Sequence, residues 1–220
     1  MTHLFPVLIS LAGKNCLIIG GGQVAERKIA DLLNYGANIC VVCPHARDKV
    51  KQWADQGLIC WHTREFVTND LDSVYMVFVA TNNRHLNQTI VLQCRQRGIL
   101  VNAVDDPPNC DFYVPAILRR DSLVIGISTE GKSPMFAKKL RLQLEELIGE
   151  EYGQFVEILG NQRDFIKKAI PDIEIRKKVY QALVDSDIID LLKAGEKERV
   201  KERMEECMSF WLGSTTEQLQ

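Results

Sequence analysis

Two short stretches hold residues whose types and spacing could do chemistry. The first is "GGGQVA", which fits G-x-G-x-x-A at Gly20, Gly22 and Ala25. Glycines at that spacing allow a tight turn and let backbone N–H groups approach a pyrophosphate at a helix N-terminus. A plain strand-to-helix turn can use the same residues, so the motif gains weight only from its surroundings. The second is "NAVDDPPNCDFYVPA", where Asp105 and Asp106 stand between an apolar run and two prolines. A carboxylate there can accept a proton from a bound molecule, or it can simply open an Asp-Pro turn. The local residues leave both readings open.

Three weaker patterns need weighing beside these. "CVVC", Cys40 to Cys43, has CxxC spacing but lies in a predicted strand, where positions three apart point to opposite faces. It reads as strand filler and not as a metal or redox pair. The four histidines (His3, His45, His62, His85) lack a spacing such as H-x-x-x-H, so no metal centre is expected. Between Pro115 and Arg141, six basic residues stand against Asp121 and Glu130, although the whole chain carries a net charge of -2. "STEGKS" brings backbone N–H groups and Lys132 to a helix start, a favourable place for an anion. Ser128, Thr129, Lys132 and Arg119 are therefore the candidate anion contacts. Lys138, Lys139 and Arg141 read as the solvated face of an amphipathic helix.

The elements that position these residues follow from periodicity. "KNCLIIGGG", "NICVVC", "LICWH", "VYMVFVAT" and "ILVNAV" are short apolar runs of strand length. Between them, "QVAERKIADLLNYGA", "ARDKVKQWADQG" and "NNRHLNQTIVLQCRQRG" show helical spacing. In the last, Asn82 or Asn83 suits the cap and Leu86, Ile90 and Cys94 share a face. This alternation over residues 14–104 predicts an α/β, Rossmann-like, doubly wound parallel sheet with helices on both faces. Asp105 follows its last strand, at the edge where such sheets bind ligands.

Beyond residue 112 the pattern changes. "DFYVPAILRRDSLVIGIST" reads as extended segments joined by turns. "SPMFAKKLRLQLEELIGEE" reads as a helix capped by Ser133, with Pro134 first and Phe136, Leu140, Leu144 and Leu147 in a stripe. From about Glu151 the chain is mostly helical. Ile175, Val179 and Leu183 form one stripe, and Val200, Met204, Cys207 and Trp211 form another. The expected division is 1–112, a dinucleotide domain; 113–149, a small mixed segment; and 150–220, an all-helical domain.

Composition narrows the function classes. At 220 residues and 46% hydrophobic, the chain can bury a real core. Its slight acidity argues against bulk nucleic-acid binding. No apolar run approaches the roughly 18 residues of a membrane span, and "MTHLFPVLISLAG" lacks the marks of a signal peptide. Seven scattered cysteines fit a reducing compartment, so a cytoplasmic protein is expected.

The acid that usually holds the ribose should end the second strand, but "CPHAR", Cys43 to Arg47, has none there. NAD and NADP are thus not separated, and Arg47 could favour a phosphate. A glycine-rich loop also suits S-adenosylmethionine, although nothing else in the chain supports that ligand. A dinucleotide-sensing module without chemistry of its own explains the loop and helices equally well. It leaves the basic central segment unexplained. An oxidoreductase acting on some other polycarboxylate also remains open on the residues alone.

In their order and distances, "IIGGGQVAERK", "FVATNN", "NAVDDP" and "ISTEGKSP" together resemble the precorrin-2 dehydrogenase/ferrochelatase module of sirohaem synthase. The resemblance covers nearly the whole chain. It implies a homodimer that oxidises precorrin-2 to sirohydrochlorin with NAD. Some members also insert ferrous iron, a step this sequence does not decide. It further implies that Gly20, Gly21, Gly22, Gln23 and Val24 hold the cofactor diphosphate. Pro44 and His45 would lie against its adenosine half, and Thr81 and Asn102 would line the nicotinamide side. Asp105 matches the family's key aspartate, while Asp106 is given no role. Multifunctional members continue into a methyltransferase domain, so here methylation is expected from another protein.

Overall fold

The structure, a computed structural model, describes residues 3–217, with side chains described through Ser209. It divides into two compact units, the first ending at Val114 and the second beginning at Pro115.

In the first unit, Asn15–Ile19 (β1), Asn38–Val42 (β2), Cys60–His62 (β3), Met76–Val79 (β4) and Leu100–Ala103 (β5) form one parallel sheet. The strand order is β3-β2-β1-β4-β5. This is the doubly wound, Rossmann-like arrangement, and its order reverses between β1 and β4. The helices are Gln23–Leu33 (α1), Asp48–Asp55 (α2) and Arg84–Gln96 (α3).

Side chains on a strand alternate between faces, and β1 shows the consequence. Cys16 and Ile18 join one core with Ala25, Ile29 and Leu32 of α1 and Val50 of α2. Leu17 and Ile19 join the other with Ile90, Val91 and Cys94 of α3. Both faces are covered, which is why these strands read as continuous apolar runs. Asn83 caps α3, its Oδ1 accepting from the Leu86 N–H at 3.0 Å.

The second unit opens with the antiparallel hairpin Ala116–Arg120 (β6) and Leu123–Ile127 (β7). Helices Pro134–Leu147 (α4), Glu150–Ala169 (α5), Ile173–Val184 (α6), Ile188–Ala194 (α7) and Lys197–Glu217 (α8) follow. The start of α4 is as its sequence predicts: the Ser133 hydroxyl accepts from the Phe136 N–H at 3.3 Å, and Pro134 is first. Val179, Leu183 and Val200 lie in the helical core, with Ile175, Met204 and Cys207 packed against it. The side chain of Trp211, placed in the same stripe, lies outside the described residues.

The α4 stripe is only half covered. Ala137 is buried and Leu140 and Leu144 are partly buried, but Phe136 and Leu147 remain 51% and 70% exposed. An apolar face left this open suits a surface that makes contact with another protein.

Candidate active site

The glycine turn after β1 meets two neighbouring loops. Gly20 has φ +123, and a Cβ there would lie 2.2 Å from the Ala80 carbonyl oxygen at the end of β4. A Cβ on Gly21 would lie 2.3 Å from the His45 carbonyl oxygen and 2.7 Å from Cys43 Sγ. The Arg47 N–H donates to the Gly21 carbonyl at 3.0 Å. The first two glycines are therefore required by the protein's own backbone. Gly22 is different: a Cβ there would meet nothing within 4 Å. Gly22 is the N-cap of α1 at φ -81, makes no side-chain cap bond, and stands at the exposed start of the helix beside exposed Gln23 and half-buried Val24. First-turn N–H groups with no side-chain cap, facing open space, suit an anionic diphosphate. The residues present thus fit a dinucleotide.

The structure brings the other expected contacts to the same edge of the sheet. Pro44 and His45 adjoin the turn through the Gly21 contact, and Thr81 follows Ala80. Thr81 is tightly held: Asn87 Oδ1 accepts from its hydroxyl at 2.5 Å, and Asn87 Nδ2 donates to its carbonyl at 3.0 Å. Arg47 does not stand free to meet a phosphate, because its Nε donates to Glu26 Oε2 of α1 at 2.6 Å. Asn102 spends its amide on structure, donating to the Phe112 carbonyl at 2.8 Å.

The stretch after β5 is a strap that folds back along the outer edge of that strand. Asn102 pairs with Cys110 in an antiparallel bridge. The Cys110 thiol donates to the Ala103 carbonyl at 3.1 Å. The Asp111 N–H donates to the Val101 carbonyl at 2.8 Å, and the Asp111 carboxylate takes the Val101 N–H and Arg95. Phe112 packs edge-on against Phe78, centroids 5.4 Å apart. This covers an edge strand that would otherwise be open to pairing.

Within the strap the two aspartates part company. Asp106 is half-buried, and its Oδ2 accepts from Asn109 Nδ2 at 2.8 Å. Asp105 is exposed, has φ +58, and its carboxylate accepts no hydrogen bond among the described residues. Left-handed backbone is unusual for a residue with a Cβ, though aspartate tolerates it better than most. Ala103 is in register with Val79, and Val79 with Ile19, so Asp105 stands two strands from the glycine turn. At the usual strand spacing that is about 10 Å.

The expected anion contacts lie in the second unit. Ser128 Oγ accepts from the Glu130 N–H at 3.1 Å, and Thr129 Oγ1 accepts from the Ser133 N–H at 3.0 Å. Both hydroxyls thus shape the turn entering α4. Lys132 is exposed, with Glu130 at 3.8 Å. Arg119 is exposed on β6, donating to the Asp121 carbonyl at 3.4 Å. Arg120, by contrast, ties the hairpin to the end of α4 through the Ile148 carbonyl at 3.0 Å, and Arg141 pairs with Glu145 on its own helix.

Cys40 and Cys43 do point to opposite faces, Cys43 within one core and Cys40 against the other. What sequence reading missed is that β2–β3 pairing sets Cys60 directly opposite Cys40, with His62 two residues on. The only local signal was Cys60 and His62 at strand spacing in "CWH".

Comparison with known proteins divides the chain in three. Residues 7–116 match the family described as "Putative NAD(P)-binding", 120–147 the sirohaem biosynthesis protein central region, and 151–208 the sirohaem synthase dimerisation region. The siroheme synthase of Nitrosococcus oceani is 32% identical over 92% of this chain and 43% of its own length. That of Pseudoalteromonas atlantica is 33% identical over 94% of this chain and 45% of its own. The chain thus spans about half the length of the curated relatives it matches. The solved structure "SirC, precorrin-2 dehydrogenase" aligns over 92% of this chain and 100% of its own, with TM-score 0.76 and 25% identity.

Proposed function

The chain belongs to the precorrin-2 dehydrogenase family, the N-terminal module of sirohaem synthases, and we propose that it oxidises precorrin-2 to sirohydrochlorin with NAD. One observation carries the assignment of chemistry: of two adjacent aspartates at the carboxyl end of β5, Asp106 is bound into the strap and Asp105 faces solvent unpartnered among the described residues. A carboxylate in that state can accept a proton from substrate without first breaking a bond inside the protein.

NAD, when bound, supplies the hydride acceptor. The open backbone at Gly22, with Gln23 and Val24 behind it, holds the diphosphate, and Gly20 and Gly21 shape the turn that presents it. Pro44 and His45 border the adenosine half. Thr81, fixed by Asn87, borders the nicotinamide, and Asn102 acts behind it by holding the strap in register. Asp105 takes the proton that leaves the macrocycle as the hydride departs. The pairing of Arg47 with Glu26 leaves less positive charge for a 2′-phosphate, which supports NAD over NADP. Within the second unit, Lys132, Arg119 and the Ser128–Thr129 turn offer positive charge and polar groups that suit acidic side chains such as those of a tetrapyrrole.

We divide the chain at 1–112, 113–149 and 150–220, and read it as a homodimer. The matched dimerisation region and the half-covered α4 face support this. Seven free cysteines support a reducing, cytoplasmic setting, and no helix among the described residues is long and apolar enough to cross a membrane.

The test is anaerobic conversion of enzymatically generated precorrin-2, with and without NAD, followed by sirohydrochlorin absorbance. Asn tolerates the left-handed backbone at position 105, so Asp105→Asn removes the base without the strain alanine would add. It should bind NAD like wild type and lose roughly 10²–10⁴ in turnover. Undiminished turnover would remove Asp105 from the mechanism, and a wild type that makes no sirohydrochlorin would remove the activity. Adding Fe²⁺ to the same assay tests the second reaction, iron insertion into sirohydrochlorin.

A further inference from the structure

The edge of the sheet farthest from Asp105 carries a second cluster that the dehydrogenase reaction does not use. In the parallel pairing of β2 with β3, Cys40 lies opposite Cys60 and Val42 opposite His62. Cys60 and His62 are two apart on a strand, so their side chains leave the same face. Cys40 Sγ, Cys60 Sγ and a ring nitrogen of His62 all lie within 4.8 Å of one another. Cys60 Sγ is 3.6 Å from His62 Nε2.

That spacing has a specific meaning. Tetrahedral zinc, with Zn–S near 2.3 Å and Zn–N near 2.05 Å, holds sulfur and nitrogen about 3.6 Å apart and two sulfurs about 3.8 Å apart. Cys60 and His62 already stand at the first distance, and the sulfur pair needs at most about 1 Å of side-chain movement to reach the second. Two thiols and an imidazole form a soft donor set that favours zinc-like ions over magnesium or calcium. Cys60 and His62 are exposed on an edge strand, so an ion can enter and a fourth position stays open to water. The nearby Arg64 guanidinium does not oppose a cation, because both its terminal nitrogens are held by the Asp70 carboxylate, at 2.8 and 2.6 Å.

We propose that Cys40, Cys60 and His62 bind one thiophilic divalent cation of the zinc class, clipping the three-residue strand β3 to β2. The site is independent of the oxidation reaction assigned above. Cys60 and His62 lie 20 and 22 residues after Cys40, and strand register brings Cys40 to them.

The full chain, stripped of metal and kept reduced under anaerobic conditions, is titrated with Co²⁺ as a spectroscopic probe for zinc sites. One equivalent should bind with a thiolate-to-cobalt charge-transfer band, Zn²⁺ should displace it, and binding should raise the thermal midpoint. Cys60→Ala and His62→Ala, both at exposed positions, should keep the circular dichroism of wild type. Each should weaken binding by more than the roughly 10–100-fold expected from losing an outer-shell partner. Cys207→Ser should leave the band unchanged. Absence of the band in wild type overturns the proposal, as does a band that survives in Cys60→Ala. A Cys40–Cys60 disulfide in air-exposed protein, without cobalt binding by the reduced form, overturns it in favour of a redox pair.

Discussion

Replacing Gly22 with alanine separates what the fold needs from what the ligand needs. A methyl group at Gly22 meets no protein atom within 4 Å, and φ -81 is a conformation any residue adopts. Alanine is a poorer N-cap than glycine by roughly 0.5–1 kcal/mol. It also reduces the freedom of the unfolded chain, which returns about 0.4–1 kcal/mol. These nearly cancel, so the thermal midpoint should stay within about 4 °C of wild type. Binding should not be spared. The methyl fills the space through which a diphosphate approaches the helix N-terminus, and one hydrogen bond to a charged group lost there is worth about 2–3 kcal/mol. NAD affinity, measured by calorimetry, should fall roughly 30–150-fold. Gly21→Ala makes the contrast: its methyl would sit 2.3 Å from the backbone oxygen of His45, about 1 Å inside ordinary contact. Overpacking of that kind costs about 1–3 kcal/mol, a fall of roughly 2–12 °C. If Gly22→Ala binds NAD like wild type while remaining folded, the open cradle is not where the diphosphate lies, and the cofactor assignment fails.

Three further outcomes follow from the same structure. Glu26→Gln removes the anion that Arg47 grips, so the preference for NAD over NADP, read as a ratio of Kd values, should shrink by about 1.5–5-fold; an unchanged ratio would dissociate Arg47 from cofactor choice. The Asp70 carboxyl is held below the usual carboxylate range by its hydrogen bonds from Arg64, aided by the Val67 N–H and opposed by partial burial. Its stabilisation is therefore complete above the unfolded value, near pH 4, and is lost as pH falls through the lower folded value. Thermal midpoints recorded down to about pH 2 should fall less steeply for Asp70→Asn than for wild type, and parallel curves would discount the pair. Charging the open face of α4 with Phe136→Glu and Leu147→Lys should convert a dimer to monomers in sedimentation experiments, whereas an unaltered mass would place the interface elsewhere.

The parallel sheet, its helices and the turns that join them were legible because each rests on near-neighbour physics. A buried parallel strand needs an unbroken apolar run, as in "MVFV", and a helix start needs a cap, as Ser133 and Asn83 supply. The glycine turn announced itself for the same reason, since only glycine admits φ +123 beside the Ala80 carbonyl. Sequence could not say which of two adjacent aspartates was free. That was decided by Asn109 reaching back to Asp106 and by the Cys110 bridge to Asn102, contacts made only once the strap folds along β5. Nor could it show that Arg47 is spent on Glu26, 21 positions away. Cys40 meets Cys60 for the same physical reason: strand register brings distant positions to one point, and local periodicity carries no record of register. Local residue patterns account for the strands, the helices and the glycine turn, whereas strand pairing and the folded strap set which side chains stay unpartnered.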